Sequence, residues 1–440
     1  MRSPSLVKLL GKEWRELLTS RAYWLLLLMI GPLVGHGFIT AVDLYAEASG
    51  IGGGPAALAQ GLTPLDGILV PTFGAYDLAV TLLFPFVAIR LIAAERESGA
   101  LKLLLQFPAS LATTVAAKAI ALVGGWLIAW VPGLAAMILW KSYGGHLYAP
   151  ETLNLLLGHL LRMTVSGGVA VAAAAIAESA ASAAIVTLGF TLGTWVLDFI
   201  AAGRGGLLQE LANYTPTAAL RVFEQGQLRA STVIVMLALS VGGFVLATVW
   251  LHTGRGLRYR LLATLALSLG LAAIVGGAAR LRQSSDLSEN RRNSFSRADE
   301  AVLRQIREPL HVTVFLSPED PRLMDLDRSI LSKLKRILPR LEVDYAATSR
   351  SGLFEDAEDH YGEIWYEMGE RKVMNRSTTE AIVLEQLYEL SGLAQPEQAD
   401  ENEFTGYPLA ARPQSAALVF YILWPLATVS AWWLIRYQRS

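Results

Sequence analysis

Long apolar runs alternate with short polar intervals along most of this chain, and the runs are about 20 residues long, the length that crosses a bilayer as a helix. In order they predict spans at about Ala22–Val42, Thr72–Ala94, Leu111–Trp140, Leu153–Ala177, Ala183–Ala201, Ser231–Leu251, Leu261–Ala279 and Ala416–Ile435. Pro132 is expected to kink the third of them. Ahead of the first span, residues 4–19 place Leu6, Leu9, Trp14 and Leu17 at helical spacing with Lys8, Lys12, Glu13, Arg15 and Glu16 between them. This reads either as an amphipathic helix on the membrane surface or as a cytosolic extension of the first span. Ala46-Glu47-Ala48 has the form of a signal cleavage site. The apolar stretch before it is longer than a signal core, so an uncleaved span is expected.

The period changes between the seventh and eighth spans. His311–Leu316 alternates as a strand, the apolar positions of 323–338 are helical, and Leu341–Tyr345 reads as a second strand. Glu363–Met368 and Arg371–Met374 flank Gly369 as a strand pair, and 378–390 is helical again. Strand, helix, strand in that order predicts a parallel pairing. The fold class is therefore a mainly α-helical polytopic membrane protein of about eight spans, with a small extracytoplasmic α/β domain inserted before the last span.

Composition supports this. Of the 440 residues 53% are hydrophobic and 17% charged, against about 25% charged in soluble proteins. An ordinary soluble enzyme and a disordered chain are both excluded. Cysteine is absent, which removes disulfides, thiolate metal sites and a Cys nucleophile. The net charge of −1 conceals a split: residues 282–412 hold 25 acidic and 17 basic side chains, the rest 13 acidic and 20 basic. Lys and Arg collect in the segments that are cytosolic if the N-terminus is, namely Lys8 to Arg21, Arg90 to Lys118, Arg255 to Arg260, and Arg436 with Arg439. Both termini are then cytosolic and residues 281–412 extracytoplasmic. The interval 202–230, with Arg204, Arg221 and Arg229, fits least well.

No phosphate-cradling loop, zinc-binding helix motif or nucleophile elbow occurs. His159 and Arg162 share a helix face within the fourth span, and Asp198 lies near the end of the fifth. They are intramembrane polar contacts for a substrate or proton, or they snorkel to the nearby interface. Ser166–Ala184 is almost entirely small residues, as tight helix packing requires, with Glu178 expected at a turn. Gly31 and Gly35 form a further small-residue pair. The acidic residues of the polar region, Asp325, Asp327 and the 355–359 cluster, lack the ligand spacing of a metal loop.

The segment Ala94-Glu-Arg-Glu-Ser-Gly-Ala-Leu-Lys-Leu-Leu-Leu-Gln-Phe-Pro-Ala-Ser110 has a charged start, one Gly, a Leu-rich amphipathic turn and a Pro stop. It reads as a short helix against the inner membrane face, either a docking handle for a cytosolic partner or an interfacial helix without one. Its pattern resembles the loop after the second span of type-2 ABC transporter permeases. The helix carrying Lys12, Glu13, Trp14 and Arg15, followed by six spans, is similar to the same family's layout. Asp286–Ser296 with Arg307–Leu316, flanked by single spans and followed by Ala431-Trp-Trp-Leu434, resembles the auxiliary domain of gliding-motility-type ABC systems. That domain is commonly longer than the one here.

The resemblance implies a permease domain over 1–255, a seventh span over 256–280, an auxiliary domain over 281–412, and an eighth span with a cytosolic tail over 413–440. It implies a subunit of an exporter in a bacterial or archaeal cytoplasmic (inner) membrane, paired as a homodimer or heterodimer of permeases. A separate cytosolic ABC ATPase would dock on Glu95, Arg96, Glu97, Ser98, Gly99, Lys102, Phe107 and Pro108. ATP and Mg belong to that ATPase; no catalytic residue, metal, cofactor or nucleic-acid partner is expected on this chain. The alternative is a non-transporting ABC assembly that relays ATPase-driven movement to the extracytoplasmic domain. A polytopic membrane enzyme is a third class without a catalytic constellation to support it.

Overall fold

The computed structural model describes residues 6–49, 63–101, 103, 110–201, 211–252, 254–317, 320–346, 360–396, 406–409 and 411–437. An amphipathic helix α1 (Leu6–Thr19) leads into α2 (Arg21–Ala48), α3 (Leu65–Glu97), α4 (Leu111–Ser142), α5 (Ala149–Ile176) and α6 (Ala180–Ala201). A short helix α7 (Pro216–Glu224) and strand β1 (Gln227–Arg229) precede α8 (Ala230–Leu251) and α9 (Leu257–Ala278). The polar region contains β2 (Ser284–Asp286), α10 (Arg297–Leu303), β3 (Leu310–Val314), a helix α11 over 321–337, β4 (Leu341–Tyr345), β5 (Ile364–Met368), β6 (Arg371–Asn375) and α12 (Glu380–Ser391). The last helix is α13 (Gln414–Tyr437). Among the described residues α2 to α6, α8, α9 and α13 are the eight helices long and apolar enough to cross a membrane.

Helix α5 is the centre of the bundle, with 72% of its most apolar window buried, against 6% for α9 and 11% for α13. Its small residues make this position possible. A Cβ on Gly243 of α8 would lie 2.6 Å from the carbonyl carbon of Gly168, so the two backbones pack directly. Glu178 sits exposed at the bend between α5 and α6. Gly31 and Gly35 leave space on α2 for Trp424 and Phe420 of α13, and the Trp424 indole donates to the Leu27 carbonyl at 2.6 Å. Helix α4 is interrupted at Trp130, beside Pro132. There the Tyr76 hydroxyl of α3 enters the helix ladder, accepting from the Gly133 amide at 2.9 Å and donating to the Ala129 carbonyl at 3.0 Å. A side chain inserted this way fixes the kink.

The second sheet has strand order β4-β3-β5-β6. β3 runs parallel to β4 and antiparallel to β5, and β5 and β6 form a hairpin through Gly369, whose φ of 61° suits glycine. β3 and β5 bury alternate residues, Leu310, Val312 and Val314 against Ile364, Tyr366 and Met368, onto Leu326, Leu334 and Leu387 of α11 and α12. The α/β reading of the sequence is therefore the observed layer. A separate two-stranded sheet pairs β1 with β2 across more than fifty residues, a link that the sequence pattern does not display.

Candidate functional site

Two polar constellations lie at opposite ends of the bundle. The first is built where α1 crosses the ends of α3 and α4. Helix α1 buries Leu9, Glu13 and Leu17, one residue per turn, and Gly124 of α4 leaves room for the Trp14 ring. The helix is thus docked into the bundle, with Arg15 exposed and Glu13 on the inward stripe. Lys118, deep in an apolar stretch of α4, meets Glu13 at 2.9 Å and Glu95 at 2.8 Å, and also donates to the Leu91 carbonyl at 2.7 Å. Lys12 closes the ring from the other side, bonded to Glu95 and 3.1 Å from both Glu13 and Glu16. Burial pushes the Glu13 carboxyl up, and Lys118 pulls against it. Burial also works against the Lys12 charge, but Glu95, Glu13 and Glu16 hold that ammonium above the ordinary lysine range.

Glu13, Glu16 and Glu95 are close enough together to resemble a metal site. Two ammonium groups already answer those carboxylates, so the cluster reads as an ion network that fixes three helices to one another. Arg96 adds a fourth element, donating to the Ala177 carbonyl and, at 3.2 Å, to the Ala175 carbonyl at the end of α5. The sequence places Glu95, Arg96 and Glu97 at the start of a loop, whereas the structure continues α3 through Glu97. Glu95 points inward, and Glu97, Ser98 and Gly99 form an exposed turn. Gly99 has φ of 74°, the left-handed conformation that ends a helix. A cleft of about 200 Å³ opens beside this turn, between Glu16, Thr19 and Ser20 on one side and Arg90 and Ser98 on the other. Lys102, Phe107 and Pro108 lie outside the described residues.

His159 and Arg162 are both fully buried, which corrects the snorkelling alternative: the face they share turns into the bundle. The Arg162 guanidinium bonds Asp77 of α3 at 3.1 Å and Thr81 at 3.4 Å. The His159 ring packs on Phe73 with centroids 5.5 Å apart. Asp198 is buried and pairs with Arg221 of α7 at 2.6 Å. This neutralises one of the cations that fitted poorly with the charge bias of the 202–230 interval. Glu224, at the end of α7, has its carboxyl pushed up to about 7, chiefly by burial and then by the charge of Asp77.

The second constellation joins the bundle to the sheet-bearing unit. Asp286 accepts from the amides of Ser288 and Asn293 at 3.1 and 3.0 Å and from the Ser294 hydroxyl at 2.8 Å, folding 286–294 into a tight hook. Arg292 projects from that hook, pairs with Asp66 in the first turn of α3, and donates to the Gln225 and Glu224 carbonyls at 3.1 and 3.2 Å. Asn293 reaches the Gln225 carbonyl at 2.8 Å. Glu289 receives the Tyr407 hydroxyl at 2.7 Å and faces His146 at 2.9 Å, with the His146 and Tyr407 rings stacked 4.0 Å apart. A Cβ on Gly226 would lie 2.9 Å from that of Ser288, so the hook fits only against glycine.

Sequence reasoning missed Lys118 as a partner for Glu13 and missed Arg292 altogether. A lone lysine inside an apolar run was the available signal for the first. For the second, the dense polar string Asp286–Ser296 stood out but not its target. A family model described as ABC-2 family transporter protein matches residues 7–262. The chain belongs to the ABC-2 family of transporter proteins. As an ABC-2 member it is a membrane component of an ABC transporter, the part of such machines that is not itself catalytic and that generally works with a cytosolic ATPase. The family match ends inside α9, so β2 to β6 and α13 lie beyond it. No match was found among curated proteins or among solved structures.

Proposed function

We propose that the chain is the permease subunit of an ATP-driven exporter, coupled to a separate cytosolic ATPase through the turn Glu97-Ser98-Gly99 and the residues that follow it. The observation carrying this reading is the bonding behind that turn. Glu95 is tied to α1 and α4 through Lys12 and Lys118, and Arg96 is tied to the end of α5. Force applied at the exposed turn therefore reaches four helices at once, including the central one. ATP-dependent movement of the partner shifts the bundle between states by its differential contacts with that turn. The α1 end of the bundle is cytosolic in this reading and the sheet-bearing unit extracytoplasmic, in a bacterial or archaeal cytoplasmic membrane. Two permease chains would face one pair of ATPase subunits, as the resemblance implies.

A second reading is favoured by the hook. Arg292, Asn293 and the β1–β2 pairing fasten the sheet-bearing unit directly to α7, and α7 holds α6 through Arg221 and Asp198. Movement of the bundle would then be transmitted to that unit, as in an assembly that relays force rather than moving a solute. The resemblance to gliding-motility-type auxiliary domains belongs with this reading. Reconstitution with the cognate ATPase separates the two: an exporter loses ATP-dependent coupling when the turn is altered but retains it when the hook is loosened. A relay needs both.

A further inference from the structure

A cavity of about 490 Å³ lies where α7, β1 and the first turn of α8 meet residues 281–284 and helix α11. Its size is that of a small-ligand site. Four cations line it, Arg229, Arg282, Lys335 and Arg336, against one carboxylate, Asp327. Two of the cations are answered: Lys335 by Asp327 at 3.7 Å and Arg336 by Glu300. Among the described residues Arg229 and Arg282 form no ion pair. Arg229 donates to the Gln227 side chain at 2.8 Å and Arg282 to the Pro339 carbonyl, which leaves guanidinium donors on both. Burial pushes the Arg229 guanidinium down, with only the more distant Asp327 opposing it, as befits a cation that lacks its counter-ion.

Val235 of α8 and Ala279 and Leu281 after α9 also line the cavity, at the ends of two helices long and apolar enough to cross a membrane. A basic pocket with apolar side chains beside it at the end of spanning helices suits an anionic headgroup on apolar chains, and the guanidinium fork matches phosphate oxygens.

We propose that this cavity binds the phosphate of an anionic amphiphile, a phospholipid headgroup of the adjoining leaflet, with Arg229 and Arg282 as its two phosphate ligands. Occupancy would wedge lipid between the bundle and α11 of the sheet-bearing unit. The shared chemistry is phosphate recognition, and a free inorganic phosphate is the other source.

The test uses the full chain in detergent, with native mass spectrometry reading retention of phosphatidylglycerol and phosphatidylcholine. The wild type should retain phosphatidylglycerol preferentially. The double variant Arg229→Gln, Arg282→Gln should lose about tenfold in affinity, the loss expected of one charge-assisted contact or more. The double Lys variant should keep much of it, and Lys372→Gln, on the far hairpin, all of it. Retention unmoved by millimolar inorganic phosphate identifies the lipid as the source. Displacement of the lipid by phosphate, with a phosphate-dependent rise in melting temperature absent from the Gln variant, identifies the free anion at the same site. If the double variant elutes misfolded, Arg282→Gln alone, on the exposed connection after α9, carries the comparison. Equal retention by wild type and Gln variants, or equal retention of phosphatidylcholine, overturns the proposal.

Discussion

The Lys118 ammonium, inside the apolar stretch of α4, lies 2.9 Å from the Glu13 carboxylate of α1, and both side chains are wholly buried. Each charge is tolerable there because the other answers it, with Glu95 and Lys12 completing the ring. Removing one partner of such a pair costs about 3–5 kcal/mol, whereas replacing both with apolar residues is often neutral. Lys118→Met should therefore lower the melting temperature of the detergent-solubilised chain strongly, because it leaves the buried carboxylates of Glu13 and Glu95 to Lys12 alone. Glu13→Leu combined with Lys118→Met should recover part of the loss. Equal melting temperatures for wild type and Lys118→Met would remove the network from the account.

The hook gives a prediction about cooperativity. Asp66 and Arg292 are distant in sequence and meet between the bundle and the sheet-bearing unit. In a double-mutant cycle, Asp66→Asn and Arg292→Gln should show a coupling of about 0.5–3 kcal/mol, as contacting charged residues do. Hydrogen exchange should rise over 284–296 in both single variants, because Arg292 anchors that segment to Gln225 and Glu224. Additive effects with unchanged exchange would mean that the two units are held elsewhere.

Glu224 sets a pH dependence. Its carboxyl is pushed up to about 7, so the folded chain holds the proton more tightly than the unfolded chain. That contribution is complete below the ordinary carboxylate range. It falls as pH rises through that range and levels off above about pH 7, a loss on the order of 1–3 kcal/mol. Stability measured from pH 5 to pH 8 should decline more in the wild type than in Glu224→Gln. Parallel curves would contradict it.

Orientation can be read with single cysteines because the chain has none of its own. Glu370, on the β5–β6 turn, and Ser98, after α3, are both exposed, and the proposed topology puts them on opposite sides of the membrane. Glu370→Cys should react with an impermeant maleimide in intact cells and Ser98→Cys only after the membrane is opened. Labelling of both in intact cells would break the proposed topology.

What was legible in the sequence is what local pattern encodes. The eight apolar helices were readable because each carries its own length and hydropathy, and β3 to β6 because alternation and Gly369 lie close together in the chain. Gly31 and Gly35 announced a close approach, but not that Phe420 and Trp424 would fill it. The candidate site was less legible because its bonds are tertiary. Glu13 looked like part of a solvated face, and only the fold shows Lys118 waiting inside α4. β1 and β2 are three residues each, too short for any period to register, and their pairing joins segments more than fifty residues apart.

The central claim is that the turn after α3 couples this permease to an ATPase, and Gly99 with Glu97 tests it most directly. Gly99 has φ of 74°, a conformation costing a β-carbon residue roughly 1–2 kcal/mol, and Glu97 is exposed beside it. Gly99→Val and Glu97→Arg should leave membrane insertion intact, with a melting temperature lowered in Gly99→Val by no more than that strain, while reducing copurification of the cognate ATPase or its permease-stimulated hydrolysis by tenfold or more, the loss of about 1.4 kcal/mol of contact. Wild-type assembly and wild-type hydrolysis rates in both variants would contradict the account.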